Sequence, residues 1–262
     1  MSQTPRSSTA KEVVSRLHDA SYDEVAALIE RYGEDPRAQV RKAVESARKR
    51  YEREKAERER VLAMYELQDE LAGGGLALGI DEVGRGALAG PLTVCAVALP
   101  PEPVIWGVND SKKLTPERRE VLAERIAEVA LAIGIAHIEP ASIDAVGMAI
   151  ALRMGMSQAI EAAGVDPDAV LIDGNPVHVH PREKTLVKGD ARVACIAAAS
   201  IVAKVARDAI MVCASEDYPV YGWDTCKGYG SAEHIAAIRE HGLSPLHRRS
   251  FCGNFMEAPR LF

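Results

Sequence analysis

The chain has no long hydrophobic run. Of its 262 residues, 47% are hydrophobic, but the longest apolar stretch, residues 193–203, is about half as long as a membrane-spanning helix must be. The first 20 residues also lack the apolar centre of a secretory signal peptide. We therefore expect a cytoplasmic protein that does not enter a membrane.

Cysteine is sparse and shows no pairing pattern. The chain has an odd number of cysteines, five, and none of them forms a C-x-x-C pair. Neither a disulfide framework nor a zinc site is indicated, so all five are expected to be free thiols. They are Cys95, Cys195, Cys213, Cys226 and Cys252.

An excess of positive charge is also lacking. The chain has 32 Lys and Arg against 38 Asp and Glu, a net charge of −6 at pH 7, so its overall field does not attract a nucleic acid. Such a partner needs a local basic surface or bound cations. Residues 41–60 hold nine Lys and Arg against five Glu, and His247-Arg248-Arg249 adds a second basic cluster. Both patterns are typical of solvated faces.

The composition changes near the triple glycine at residues 73–75. Before it, the apolar spacing predicts short amphipathic helices, then a break at Asp35-Pro36 and a long exposed helix over residues 38–69. We therefore divide the chain into a helical N-terminal extension, residues 1–71, and a separate domain, residues 72–262. The glycines serve as a hinge or a helix stop.

Residues 72–262 alternate between strand-like and helical segments, which predicts an α/β fold with a mixed sheet. Helices are expected after Thr115-Pro116, after Ser142 through residue 163, from Asp190 to residue 216, and from Ser231 to residue 240, where Gly242 follows. Strands are expected at residues 76–80, 92–99, 104–108, 132–138, 169–172 and 184–187.

Acidic residues stand where predicted strands end. Asp81 and Glu82 follow one strand directly, Asp173 follows another, and Asp190 opens the Ala-rich helix. If the two strands are neighbours, three or four carboxylates meet, and their repulsion calls for a bound cation. Oxygen ligands without nearby His or Cys favour Mg²⁺ or Mn²⁺. Two such ions can activate water and stabilise a departing oxyanion in phosphodiester hydrolysis.

Each of these acids also has a purely structural interpretation. Asp173 could belong to an ordinary Asp-Gly turn, and Asp190 could be an ordinary helix N-cap. The adjacent pair Asp81-Glu82 is harder to explain in this way, although one of the two could point to solvent because strand neighbours face opposite sides.

A loop of two glycines around an arginine, Gly84-Arg85-Gly86, follows the acid pair. One interpretation is a tight turn of a β-hairpin. The other, favoured by the charge of Arg85, is a loop whose backbone amides approach a sugar or a phosphate closely. The loop lacks both the Gly-Lys-Ser/Thr of a P-loop and the spacing of a dinucleotide fingerprint.

Three further groups are compatible with a nucleic-acid surface. Lys112 and Lys113 lie in a predicted loop and could meet phosphates or be merely solvated. Tyr229, between two glycines, could stack on a sugar or base or be a buried anchor. The cluster His247-Arg248-Arg249-Ser250 could contact phosphates, whereas His234 is expected at the surface of a helix without a catalytic role.

Seven short blocks stand out between residues 79 and 251. They are Gly79-Ile80-Asp81-Glu82-Val83-Gly84-Arg85-Gly86, Asp110-Ser111-Lys112-Lys113-Leu114, Ile172-Asp173-Gly174, Lys188-Gly189-Asp190, Ala198-Ala199-Ser200-Ile201-Val202-Ala203-Lys204-Val205, Lys227-Gly228-Tyr229-Gly230 and His247-Arg248-Arg249-Ser250-Phe251. In order and approximate spacing they resemble bacterial ribonuclease HII, of the type 2 ribonuclease H family, over residues 72–262.

The resemblance implies a ribonuclease H-like fold, a mixed central sheet flanked by helices. It implies an endonuclease that cleaves the RNA of RNA–DNA hybrids and cuts 5′ of ribonucleotides embedded in duplex DNA, leaving a 3′-hydroxyl and a 5′-phosphate. Removal of ribonucleotides left in DNA by replication follows from that activity. The implied cofactor is a divalent metal, Mn²⁺ or Mg²⁺.

The resemblance also assigns roles to residues. Asp81, Glu82, Asp173 and Asp190 would be the catalytic, metal-binding acids. Gly84, Arg85 and Gly86 would sense the ribose 2′-hydroxyl, and Tyr229 would stack on the sugar at the DNA side of the junction. Lys112, Lys113 and Ser200 are weaker candidates for contacts to the nucleic-acid backbone.

Two other functions remain open at this point. A nuclease of the same fold could cut DNA, but the Gly-Arg-Gly loop and Tyr229 suit a test for ribose. A binding module without catalysis would gain nothing from acids clustered against phosphates. The basic residues 41–60 are expected to raise hybrid affinity, and a monomer is expected.

Overall fold

The structure, a computed structural model, describes residues 8–256. Contacts within the chain group it into two compact units that meet between Val61 and Leu62. The functional boundary expected between residues 71 and 72 stays a prediction. No helix among the described residues is long and apolar enough to cross a bilayer.

Residues 10–72 form three helices. Their bounds are Ala10–Asp19 for α1, Tyr22–Tyr32 for α2 and Ala38–Ala72 for α3. Thr9 and Ser21 each precede a helix with a capping box, in which Glu12 and Glu24 accept a hydrogen bond from the cap's backbone. Pro36 lies in the break before α3, as the sequence predicts. The helical nature of the N-terminal region is confirmed.

The first unit has its own apolar core and a basic residue that closes α1. The guanidinium of Arg50 donates to the carbonyls of Leu17, His18 and Ala20 at 2.9, 2.6 and 3.2 Å, which satisfies the free carbonyls at the end of α1. The core is formed by Val13, Leu17, Val25, Ile29, Tyr32, Val40, Val44 and Ala47.

A five-stranded mixed sheet forms the centre of the second unit. The strands are β1, Ala77–Val83; β2, Leu92–Ala98; β3, Ala132–Ile138; β4, Ala169–Asp173; and β5, Glu183–Leu186. Their spatial order is β3-β2-β1-β4-β5. β1 pairs antiparallel with β2 and parallel with β4, while β2–β3 is antiparallel and β4–β5 is parallel. The predicted mixed sheet is confirmed.

Helices cover both faces of this sheet. They are α4, Pro116–Val129; α5, Pro140–Val146; α6, Met148–Ala163; α7, Ala194–Asp217; α8, Trp223–Cys226; α9, Ala232–His241; and α10, Arg249–Met256. Leu78 and Ile80 of β1 pack with Met156 of α6 in the main apolar core. Gly79 faces α7, because a Cβ there would lie 2.3 Å from the carbonyl carbon of Cys195.

Three predicted elements are wrong in detail. Residues 104–108 are a loop, because Pro101, Pro103 and the positive φ of Gly107 (87°) interrupt extended pairing, although Ile105 is buried. The helix expected after Ser142 is two helices, separated at Gly147 (φ 80°). The helix expected from Asp190 begins at Ala194, after a 3₁₀ turn over Gly189–Ala191.

Candidate functional site

Two of the predicted acids lie side by side at one end of the sheet. Ile80 of β1 pairs with Ile172 of β4 in a parallel register, so the next residues, Asp81 and Asp173, are neighbours on adjacent strands. Asp81 is two residues beyond Gly79 and therefore faces α7. The two strands that the sequence analysis left unplaced are thus adjacent, and they bring two carboxylates to one face.

The carboxylate of Asp81 has a partner on α7, the helix that covers its face of the sheet. Its carboxylate is bonded by the hydroxyl of Ser200, which also contacts the hydroxyl of Ser111 at 2.9 Å. Asp81 is 8% exposed and Ser200 is 5% exposed. The backbone N–H of Glu82 donates to Asp81 Oδ1 at 2.8 Å. Ser200 therefore fixes an acid from within the protein, and its hydroxyl does not lie at the surface.

Asp173 and Asp190 are joined through the 3₁₀ turn. Gly189 N–H donates to Asp173 Oδ1 at 2.6 Å, and Asp190, the next residue, is buried. Lys188 before the turn has a left-handed backbone (φ 57°), which reverses the chain there. Asp190 is not the N-cap of α7, because that position is Val193. The N-cap interpretation of Asp190 is wrong.

The acids act on one another electrostatically. Burial, then the charge of Glu82, raises the pKa of Asp81 to about 8, and Asp173 contributes to the same shift. Burial also raises the pKa of Glu82, where Asp173 adds to the shift and Arg85 opposes it. Burial and Asp173 raise the pKa of Asp190. Asp173 is the common neighbour of the other three acids.

The donor set fits a hard divalent cation, although the acids do not form a ligand set as they stand. Within residues 8–256, no three His, Cys, Asp or Glu side chains are arranged closely enough to enclose a metal. Each acid instead has a protein partner, such as Arg85 Nη1 at 3.6 Å from Glu82 Oε1. Buried carboxylate oxygens that repel one another, without thiol or imidazole ligands, suit Mg²⁺ or Mn²⁺.

The two glycines of the Gly-Arg-Gly loop, residues 84–86, have different surroundings. The loop belongs to the connection between the antiparallel strands β1 and β2, so the hairpin is confirmed, but this connection spans residues 84–91 and is not the tight turn that was one interpretation. Gly84 has φ 87°, and a Cβ there would lie 2.2 Å from Nε of Arg207. At Gly86 an added Cβ would meet nothing within 4 Å, and its φ is not positive. The fold requires a glycine at residue 84 and not at residue 86.

The loop presents free backbone donors beside an aromatic ring. Among the hydrogen bonds of residues 8–256, none uses the N–H of Arg85 or Gly86. Gly84 N–H donates to the hydroxyl of Tyr229 at 3.2 Å. Tyr229 is 37% exposed, so the buried-anchor interpretation of this residue is wrong. The loop and the ring form one continuous surface.

The two lysine candidates are exposed. Lys112 and Lys113 lie in a 3₁₀ turn, Ser111–Lys113, whose N-terminus is capped by Asp110. The charge of Lys112 acts on Asp190 and opposes the rise of its pKa. Lys112 therefore lies near the acids, whereas no contact places Lys113 there.

Three residues expected at the surface are buried. His234 is 0% exposed, and its ring is satisfied within the protein, because Trp223 Nε1–H donates to its Nε2 at 3.0 Å and its Nδ1 bonds the Tyr229 carbonyl at 2.8 Å. His247 and Arg248 are 2% and 0% exposed, so they are neither a solvated face nor phosphate contacts. Sequence reasoning also missed Arg207, whose only signal was an arginine inside an Ala-rich helix.

The chain is similar to known proteins over almost its whole length. A family model described as Ribonuclease HII matches residues 78–254, and one described as Ribonuclease HII N-terminal domain matches residues 9–72. The chain belongs to the ribonuclease HII family. A Ribonuclease HII of Halalkalibacterium halodurans is 43% identical to this family member over 248 residues, covering 92% of this chain and 91% of the relative.

Solved structures agree on the fold of this ribonuclease HII family member. Ribonuclease H2 from Pyrococcus horikoshii OT3 superposes with a TM-score of 0.59 and 24% identity, over 70% of this chain and 100% of that one. Bst-RNase HIII in complex with Mn²⁺ gives a TM-score of 0.55 and 22% identity, over 67% and 66%. The ribonuclease H-like fold is confirmed, and the chain is a ribonuclease H, an RNA–DNA hybrid endoribonuclease that hydrolyses phosphodiesters.

The raised pKa of Asp81 predicts a pH-dependent effect of Asp81→Asn. In the folded, metal-free protein the pKa is about 8, above the ordinary value of 3.8, so ionisation destabilises the fold progressively as the pH rises from about 4 to 8. We expect the melting temperature of Asp81→Asn in EDTA to exceed that of the wild type at pH 8 by several degrees, at about 2–4 °C per kcal/mol, and by much less at pH 5.

Asp144→Asn is the control of opposite sign. Hydrogen bonds from Ser250 and Arg249 lower the pKa of Asp144 despite some burial, so its charge stabilises the fold at both pH values. This variant should melt below the wild type at pH 5 and at pH 8. A melting-temperature difference for Asp81→Asn that is the same at both pH values would contradict the assigned origin of the shift.

Proposed function

We propose that this ribonuclease H cleaves the RNA strand of RNA–DNA hybrids and incises 5′ of single ribonucleotides in duplex DNA, leaving 3′-hydroxyl and 5′-phosphate ends. The observation that carries the proposal is the position of the free N–H groups of Arg85 and Gly86, a few residues along the chain from the acid pair Asp81-Glu82. Backbone donors that can bind a ribose hydroxyl and carboxylates that suit hydrolysis therefore lie close together. The cytoplasmic removal of ribonucleotides left by replication is the task that fits.

We assign the metal-binding role to four acids, Asp81, Glu82, Asp173 and Asp190. Divalent ions there, Mg²⁺ or Mn²⁺, would supply an activated water and offset the charge of the departing oxyanion. Mn²⁺ is the ion named for the Bst-RNase HIII neighbour. The chain's own part is to hold the acids in place, through the Ser200 hydroxyl for Asp81 and the Gly189 amide for Asp173.

The Gly-Arg-Gly loop is the proposed sensor of the 2′-hydroxyl. The N–H groups of Arg85 and Gly86 can donate to a ribose oxygen, and the absence of a side chain at Gly86 lets the sugar approach. Tyr229, tied to the loop through its hydroxyl, would stack on the deoxyribose beyond the junction. Lys112 and Lys113 are exposed and could contact the nucleic-acid backbone, whereas we assign Ser200 to holding Asp81.

The basic helix surface of the N-terminal extension is a proposed second contact to the hybrid. Lys42, Arg48 and Arg53 are exposed on α3 and have no ion-pair partner within residues 8–256. The other basic residues of this stretch include Arg50, which is used to close α1. Free cationic side chains release counterions when they meet phosphates.

The central test compares a labelled duplex that carries one ribonucleotide with its all-DNA twin. We expect incision at the ribonucleotide alone, with Mg²⁺ or Mn²⁺ and not with EDTA. Asp81→Asn and Asp173→Asn should lower the rate by at least about 100-fold, because each removes one of the negative charges that hold the cations. Equal cutting of both duplexes would indicate a general nuclease, and tight binding without cutting would indicate a non-catalytic module.

Gly86→Ala separates substrate contact from folding. Because an added methyl meets no protein atom, the melting temperature should stay within about 1–2 °C of the wild type. Cleavage at the ribonucleotide should fall by about tenfold or more, since the methyl occupies the approach path of the sugar. Gly253→Ala is the matched control, because that exposed glycine also has open space around it, and full activity of Gly86→Ala would reject the contact.

Neutralising the free basic residues of α3 tests the second contact. The triple variant Lys42→Gln, Arg48→Gln and Arg53→Gln should bind a hybrid more weakly and reduce the slope of log K against log salt by up to about 3. Glu52→Gln, an exposed acid on the same helix, should leave the affinity equal or higher. If the triple variant keeps both the affinity and the slope of the wild type, the extension does not bind the hybrid.

A further inference from the structure

Two buried arginines lie beneath the loop that joins β1 to β2. Arg207 of α7 and Arg248, just before α10, are both 0% exposed. Neither forms an ion pair with a carboxylate within residues 8–256. Burying one unpaired cation is costly, and these two lie close enough for Arg207 to lower the pKa of Arg248, after burial, to about 10. A structure that keeps two such charges uses them for something that neutral side chains cannot supply.

Arg248 binds the first half of the loop through its carbonyls. Its Nη1 donates to the carbonyl of Gly84 at 2.6 Å and to that of Arg85 at 3.2 Å. Its Nε and Nη2 both donate to the carbonyl of Gly90, at 3.0 and 2.9 Å. One rigid guanidinium fork therefore fixes three peptide groups at once.

The bonds to Gly84 and Arg85 determine where the free donors point. In a trans peptide the N–H of a residue is antiparallel to the preceding carbonyl. When Arg248 holds the Gly84 carbonyl inward, the N–H of Arg85 points away from the guanidinium. When it holds the Arg85 carbonyl, the N–H of Gly86 does the same. These two N–H groups are the ones that have no acceptor within residues 8–256.

Arg207 binds the second half of the loop and the segment before Tyr229. Its Nε and Nη2 donate to the carbonyls of Pro91 and Ala89 at 2.9 and 3.0 Å, and its Nη1 donates to that of Lys227 at 2.9 Å. Its guanidinium carbon lies 5.2 Å from the centre of the Tyr229 ring. The loop and the aromatic ring thus rest on the same cation.

We propose that Arg207 and Arg248 are positioning residues that aim the amides of Arg85 and Gly86 and the ring of Tyr229 at the substrate, and thereby set the preference for ribose over deoxyribose. This inference rests on the proposed function, in which that loop senses the 2′-hydroxyl. The arginines touch no substrate. Their effect is on recognition of the sugar and not on the carboxylates that bind the metal.

Arg248→Lys tests the inference, because lysine keeps the charge and loses the fork that holds three carbonyls. The measured quantities are the KM and kcat for the single-ribonucleotide duplex, and the inhibition constant of its all-DNA twin as a competitor. We expect the KM to rise by about tenfold with little change in the inhibition constant. The ratio of the inhibition constant to the KM, which measures the preference for the ribonucleotide duplex, should therefore fall toward one. The Mn²⁺ concentration for half-maximal rate should stay unchanged.

Two controls separate positioning from loss of stability. Arg207→Lys loses the fork that holds the carbonyls of Ala89, Pro91 and Lys227, so it should lower the same ratio. Because every bond of Arg248 stays in place, this variant serves when Arg248→Lys does not fold. Met156→Ala removes a buried side chain of α6, on the other side of the sheet, and should lower the melting temperature while the ratio stays that of the wild type.

The outcomes distinguish the inference from the proposed function. Equal cutting of the single-ribonucleotide duplex and its all-DNA twin by the wild type overturns the proposed function. Selective cutting with a wild-type ratio near one means that the sugar is not recognised in binding, which overturns the positioning role alone. A high wild-type ratio that a folded arginine variant retains, or that Met156→Ala lowers equally, overturns the positioning role alone.

Discussion

The parallel pairing of β1 with β4 is the constraint on which the site depends. It sets Asp81 beside Asp173 on the face covered by α7, where the half-buried carboxylate of Asp173 repels the buried carboxylate of Asp81. The surrounding structure offsets this repulsion with directed donors. Gly79 has no side chain, so the start of α7 approaches the sheet closely enough for Ser200, further along the helix, to bond Asp81.

The same end of the sheet holds a cluster of negative charges and, next to it, a pair of buried positive charges. The acids gather negative charge, and the loop that follows them rests on two buried guanidinium groups, Arg207 and Arg248, without a carboxylate partner in the described part of the chain. The acids and the two buried arginines do not neutralise each other. Instead, the arginines donate to backbone carbonyls, whereas the acids accept from amides and hydroxyls. Neither set of charges is neutralised, so the arginines can still attract a polyanionic ligand and the acids can still attract its cations. Within residues 8–256, the ion pair that the four acids form is that of Glu82 with Arg85 of the loop, and it does not involve either buried arginine.

Sequence reasoning succeeded where the signal was local. Asp81 and Asp173 stood out because an acid that ends an apolar run is unusual, and the structure places them side by side, while their roles stay a prediction. The N-cap at Ser231 was predicted from its spacing and is confirmed. It failed where the partner is distant in the chain. Arg248 reads as a surface cation beside Arg249, and only the fold brings it to Gly84, 164 residues away. Similarly, residues 104–108 include the buried apolar Ile105 and Val108, yet the structure places them in a loop.

The buried histidines show what such distant contacts imply for chemistry. Ser244 N–H donates to His247 Nδ1, and Trp223 Nε1–H donates to His234 Nε2, so both acceptor nitrogens lack a proton. The proton of neutral His247 is then on Nε2, facing His234, and that of His234 is on Nδ1, facing the Tyr229 carbonyl. A further proton on either ring would set donor against donor. Burial lowers the pKa of both rings in the same direction. For His247, burial and then the neighbouring His234 lower the pKa to about 4. Tyr229 is thus held by a network that stays neutral, and pH dependence of this site near neutrality originates in the carboxylates.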